Sequence, residues 1–355
     1  MSADYFWSAE YRPRARRVVL LRGCPDEKKH RLLLLLTTYL EQNGQTAERY
    51  SAPLRPEQAA AVFLPESGVL FIDSHFAQDL SADAELSLDE QRDWAELCRK
   101  SAAIAKPDEK IQECERKYSR FFNAAALLQK DFARTDAARL NKAKLTRCAV
   151  RLAAKEFPPP SGRIGRETRR MLTSHSAGGM AAHFRTIAEM CDTLILLEDF
   201  SGAAGAFLLS RLRANALGNG LDAVVCPSPL DPNGAPEFLF VPELRLGAAV
   251  CNRFHNPHAL IAALEGGKRF EHMRVLRSER FYLRQGKEQS RRLRFLHRAQ
   301  WELLEAASAA LAAREQLLER LAGYYAAADG TVNLPMLAAK ALLLGEIFAE
   351  QRGSL

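Results

Sequence analysis

A glycine, a proline and two adjacent lysines lie close together in Gly23-Cys24-Pro25-Asp26-Glu27-Lys28-Lys29, after the apolar run Val18–Leu21 and before a leucine-rich segment. A strand, a tight turn and a helix N-terminus in that order aim backbone N–H groups and a positive dipole end at an anion. A loop of the form GxxxxGK[ST] adds glycines for close backbone approach, a lysine for the outer phosphates and a hydroxyl for magnesium. Gly23 takes the place of the opening glycine, Lys29 that of the lysine, and Pro25 fits the turn. Lys28 stands where the second glycine belongs, His30 replaces the hydroxyl residue, and Asp26 and Glu27 put two carboxylates in the cradle. The segment alone fits a nucleotide site, a decayed one or a plain βα connection.

The chain repeats this layout. Val18–Pro56 and Leu194–Pro232, set against each other at a shift of 176, share eleven identities in 39 positions without a gap. Leu20-Leu21 matches Leu196-Leu197 in the apolar run. Leu32, Leu33 and Leu36 match Leu208, Leu209 and Leu212, and Asn43-Gly44 matches Asn219-Gly220 where a helix C-cap is expected. One residue of slippage later, "FLPES" (63–67) matches "FVPEL" (240–244). The copies agree on both flanks and nowhere from Arg22 to Arg31. In the second copy, "EDFSGAAGAF" keeps Gly202, but Asp199 replaces the opening glycine, Gly205 the lysine and Ala206 the hydroxyl.

The repeated unit reads strand, loop, helix, short strand, Pro-rich turn, Pro-Glu, strand. An α/β fold follows, with parallel-sheet modules whose loops gather at the strands' C-terminal ends. Charge-rich helical regions follow each unit, over about 87–157 and 289–351, with Pro335 interrupting the second. "FPPPSG" must break any helix after Phe157, so the expected modules are 1–160 and 161–355. Arg169–Phe184 reads as a strand and turn entering the second module.

Other residues capable of chemistry are less well placed. Asp73 ends the apolar "VLFID" and could hold a metal, but its counterpart is Val250. His255 and His258 are spaced for a metal, with Pro257 between them and no third ligand. Ser174, His175 and Ser176 sit together with no acid or oxyanion donor to make them a hydrolase site. Seven cysteines form no CxxC pair and no zinc spacing, the usage of reduced structural thiols.

The 355 residues, 47% hydrophobic and 26% charged, suffice for one large core or two smaller ones. Arg16-Arg17 before "VVLLRGC" superficially resembles an export signal, but Arg22 ends the apolar run too soon. No stretch approaches a membrane span, and a cytoplasmic protein is expected. Of the net charge of +7, a local +8 falls between Lys268 and Arg298. That block fits either a phosphate-contacting surface or the solvated face of amphipathic helices.

The arrangement resembles a poorly characterised bacterial family of tandem-duplicated P-loop ATPase-like proteins. "RGCPDEKKH", "SAPLRPE" and "FLPESGVLFIDSH" carry the resemblance in the first half. "EDFSGAAGA", "CPSPLDP" and "FVPELRLGAAV" carry it in the second, with Pro257-His258. It implies two P-loop NTPase-like modules with degenerate phosphate loops at Gly23, Pro25, Lys28, Lys29, Gly202 and Gly205. It implies ATP with Mg2+ only where those loops still bind. The expectation is a catalytically degenerate protein with a binding or scaffold role and a protein partner on its helical regions. The alternatives are an active ATP- or GTP-binding enzyme with Asp73 on metal, and nucleic-acid binding through 268–298.

Overall fold

A computed structural model describes residues 14–23, 26–77, 80–89, 93–183, 186–187, 190–254, 270–284, 286–328 and 333–347. His255, His258, Cys24 and Pro25 lie outside them. Two α/β units emerge. In the first, β1 (Arg17–Arg22) leads through α1 (Asp26–Gln42) to β2 (Glu48–Ala52), β3 (Arg55–Leu64), β4 (Val69–Asp73) and β5 (Ala84–Ser87), in sheet order β2-β3-β4-β1-β5. In the second, β9 (Thr193–Glu198) leads through α5 (Ala203–Gly218) to β10 (Ala223–Pro227), β11 (Pro236–Val241), β12 (Leu246–Cys251) and β13 (His272–Arg277). Its order, β13-β9-β12-β11-β10-β6, is that of the first sheet with β6 (Glu167–Arg169) added at the edge. The sequence repeat is thus a repeat of topology.

Both sheets are mixed, not parallel. β1 runs parallel to β4 and β5, and β9 to β12 and β13, because helical or long connections separate these strands. β2-β3-β4 and β10-β11-β12 are antiparallel, since loops too short for a crossover join each to the next.

Alternation along the central strands divides each core in two. Val19 and Leu21 face Leu32, Leu33, Leu36 and Leu40 of α1, while Val18 and Leu20 join Phe63, Leu70 and Ile72 on the opposite face. Leu197 and Ile195 meet Leu208, Leu209 and Leu212 of α5, and Leu194 and Leu196 meet Phe238 and Phe240. Each leucine so buried contributes about 1.5–3 kcal/mol over leaving it exposed. The matched leucines of the two copies therefore hold the same helix on the same face of the same strand. Gly44 and Gly220, expected at the helix ends, both have left-handed backbone, φ +75° and +85°.

The remaining helices are α2 (Trp94–Arg99), α3 (Ser101–Ala137), α4 (Lys142–Glu156), α6 (Lys287–Ala328) and α7 (Leu334–Leu344). Pro335 sits in the first turn of α7, where its missing N–H costs nothing. β7 (Thr173–Ser176) and β8 (Gly179–Ala182) form a hairpin of their own.

The triproline separates the sequence repeats, but the compact units comprise 1–116 with 311–355, and 117–310. The ends of the two helical regions are exchanged. α4, which follows the first repeat, packs on α5 of the second unit through Leu145, Ala149 and Leu152. α7, which follows the second repeat, packs on α1 through Leu337, Ala338 and Ala341. The two exchanged helices start alike: the side chains of Asn141 and Asn333 accept from the N–H groups of Lys144 and Met336. No described helix is long and apolar enough to cross a membrane.

Candidate functional site: the two strand-to-helix turns

The turn after β1 opens on a glycine whose backbone is left-handed. Gly23 has φ +113°, and a β-carbon there would come within 2.6 Å of Asp89 Oδ1, so the position admits only glycine. The close neighbour of that glycine is a carboxylate, which would repel a phosphate. Lys29 lies one turn into α1 and is 3% exposed. Its Nζ donates to Asp73 Oδ1 at 2.7 Å, and Asp73, at the end of the adjacent parallel strand, is equally buried. Asp73 Oδ1 also accepts the N–H of His75, capping a short 3-10 turn. The lysine for a phosphate and the acid for a metal are therefore joined to each other. His30, in the hydroxyl position, accepts the Ala59 N–H on Nδ1 at 2.6 Å. Burial, then the Arg49 charge, holds its pKa below the ordinary range, in keeping with a neutral acceptor ring. Lys28, on the same helix, is partly buried.

The second turn reaches the same end by opposite means. Gly205 occupies the lysine position and Val250 the aspartate position. A β-carbon on Gly205 would lie 2.5 and 2.6 Å from the two Val250 methyls, so helix and strand meet by direct contact where the first unit has an ion pair. Gly205→Ala is accordingly expected to destabilise the protein by about 1–3 kcal/mol, and Gly205→Ala with Val250→Ala to recover much of it. Urea denaturation of the two variants measures this.

Nor does the head of α5 keep donors for a ligand. Gly202, φ +80°, is its N-cap. Ala203 N–H donates to Ser201 Oγ at 3.3 Å, Ala204 N–H to the Tyr282 hydroxyl at 3.1 Å, and Gly205 N–H to Asp199 Oδ2 at 2.8 Å. Ala206 N–H already donates within the helix, to Gly202 O. Tyr282 in turn donates to Asp199 Oδ1 at 2.9 Å. An aspartate and a tyrosine of the chain thus take up N–H donors at this helix N-terminus. Burial raises the pKa of Asp199, against the lowering effect of the Gly205 N–H and the Tyr282 and Ser278 hydroxyls.

No protein-family model, curated protein or solved structure matches this chain.

Magnesium nucleotide does not fit either turn as built. The first offers a lysine paired with a carboxylate and a histidine committed to the backbone; the second has Gly205 and Ala206 at the lysine and hydroxyl positions, and its Ser201 and Tyr282 hydroxyls are bonded within the turn. No group of three or more His, Cys, Asp or Glu side chains able to hold a metal occurs among the described residues.

Beside the second turn lies a cleft of about 590 Å3, lined by Asp199, Ser201, Tyr282, Phe200, Arg139 and residues of α6 including His297. It opens at the C-terminal end of β9, where neighbouring strands lie to either side, the position at which open α/β sheets bind ligands.

His175, also singled out by sequence, is a core residue. It is buried against the rings of Tyr118 and Phe122, at 5.8 and 5.3 Å, with Ser308 Oγ 3.2 Å from Nε2. Burial lowers its pKa to about 4, so it is a neutral core side chain. Of the six described cysteines, four are buried. Sequence reading passed over Tyr282 and Arg253. Arg253 stacks over Phe132 and Phe254 at 4.0 and 4.8 Å and donates to Gln129 and Gln300, while burial lowers its pKa to about 10. Both follow strands in otherwise ordinary sequence and lack any motif to mark them.

Proposed function

We propose that this chain is a duplicated P-loop NTPase-like protein whose phosphate turns have been rebuilt into internal contacts, and that it works by binding rather than by catalysis. The helical regions after each sheet provide the surface for a protein partner. The reading is carried by one observation: the donors at the head of α5 are taken up by Ser201, Tyr282, Asp199 and the helix itself. The Lys29–Asp73 pair supports it from the other unit, since the enzyme alternative needs those two groups for phosphate and metal.

Thermal denaturation with magnesium ATP or GTP tests the proposal. At about 1 mM nucleotide, a site of micromolar affinity would stabilise the protein by about 4 kcal/mol. The expected result is no change in melting temperature and no protein-dependent phosphate release. Magnesium-dependent stabilisation lost in Lys29→Met would overturn it.

A further inference from the structure

Helix α6 begins in the most basic stretch of the chain: Arg284 to Arg298 contains six Lys or Arg and one Glu. Arg291, Arg294 and Arg298 recur at i, i+3 and i+7 and therefore share a face. All three are exposed and none forms an ion pair among the described residues, whereas their neighbour Arg292 is held by Asp131 at 2.9 Å. Over about 10 Å of helix axis they match the phosphates of about three stacked nucleotides.

Aromatic side chains accompany these guanidinium groups. Phe200, at the second βα turn, is 62% exposed, and Trp301, on the α6 face that carries the arginines, 46%. His297 joins them: its ring lies 5.4 Å from that of Phe200, and 6.4 Å from that of Trp301 at an interplanar angle of 27°. Acidic groups bound the surface without covering it. Glu305 accepts from the Trp301 indole at 2.7 Å, Asp136 is paired with Arg139, Asp199 is engaged at the turn, and Glu279 lines the far part of the cleft.

We propose that this face of the second unit binds a short single-stranded nucleic acid, its phosphates on Arg291, Arg294 and Arg298 and its bases stacked on the Phe200–His297–Trp301 ladder. Unstacked bases offer faces to such rings, whereas bases within a duplex do not. An acidic peptide would use the arginines and leave the rings idle. The inference is independent of the decayed turns.

Fluorescence anisotropy of the full chain with labelled oligo(dT) or oligo(U), against a duplex of equal length and against polyglutamate, decides it. The expected result is preference for the single strand, with a log–log salt slope near about −2 for three phosphates. The triple variant Arg291→Ala, Arg294→Ala, Arg298→Ala abolishes binding. Phe200→Ala and Trp301→Ala each weaken it about tenfold without changing the slope. All these side chains are at least partly exposed, and circular dichroism verifies that each variant is folded. Equal binding of the duplex overturns the proposal, as does absence of binding at low salt. Displacement by polyglutamate with silent aromatic variants also overturns it, in favour of an acidic protein. The magnesium-nucleotide melting experiment reads the turns separately, so either proposal can fail alone.

Discussion

Asp73→Val alone is expected to lower the unfolding free energy by about 3–5 kcal/mol, because it leaves the Lys29 ammonium buried without its carboxylate. Asp73→Val combined with Lys29→Met should restore most of that loss, since apolar groups of similar volume replace a buried pair at little cost. The second unit already shows that this junction tolerates an uncharged solution: it has Gly205 against Val250. Urea unfolding of both single variants and the double variant yields the coupling directly. Single and double variants of equal stability would mean that Lys29 finds water or another partner once Asp73 is gone, and that the pair does not lock the turn.

Asp199→Ala is expected to cost about 2–4 kcal/mol. It strips the Gly205 N–H and the Tyr282 hydroxyl of their acceptor at a site where the carboxylate is 2% exposed. Tyr282→Phe, which removes one acceptor and one donor of the same cluster, should cost less. The effect has a pH signature. Burial raises the Asp199 pKa above its ordinary value. The folded protein therefore holds this proton more tightly than the unfolded chain, and the contribution to stability is complete below the unfolded pKa. It is lost as pH rises through the raised folded value. Asp199→Asn carries no such proton, so the stability of wild type relative to this variant should fall as pH rises across that window. Urea titrations at several pH values would detect it; a constant difference would show that Asp199 ionises in the fold as readily as in the unfolded chain.

Much of the architecture was legible from a few residues. Leu32, Leu33 and Leu36, repeated at Leu208, Leu209 and Leu212, marked a helix face and its counterpart, and both bury those leucines against equivalent strands. Alternation of strand with helix could not reveal that β2 through β4 return antiparallel, because orientation there depends on loop length rather than on pattern. At the turns, sequence showed what was missing from a phosphate loop but not what replaced it. Lys29 and Asp73 lie 44 residues apart, Asp199 and Tyr282 83 apart. Only the sheet order, which sets β4 and the segment after β13 beside the central strand, brings them together. The exchange of α4 and α7 was hidden for a similar reason: two amphipathic helices with an Asn cap and apolar faces fit either core by composition alone.

That exchange reverses the usual order in which a chain completes its folds during synthesis. Domains ordinarily mature from the N-terminus as the ribosome releases them. Here every residue of the second unit has been made once Ala310 is reached, whereas the first still lacks Leu337, Ala338 and Ala341, which close over α1. Of the two sheets, the earlier to emerge is thus the later to be sealed, and its leucine face waits for α7.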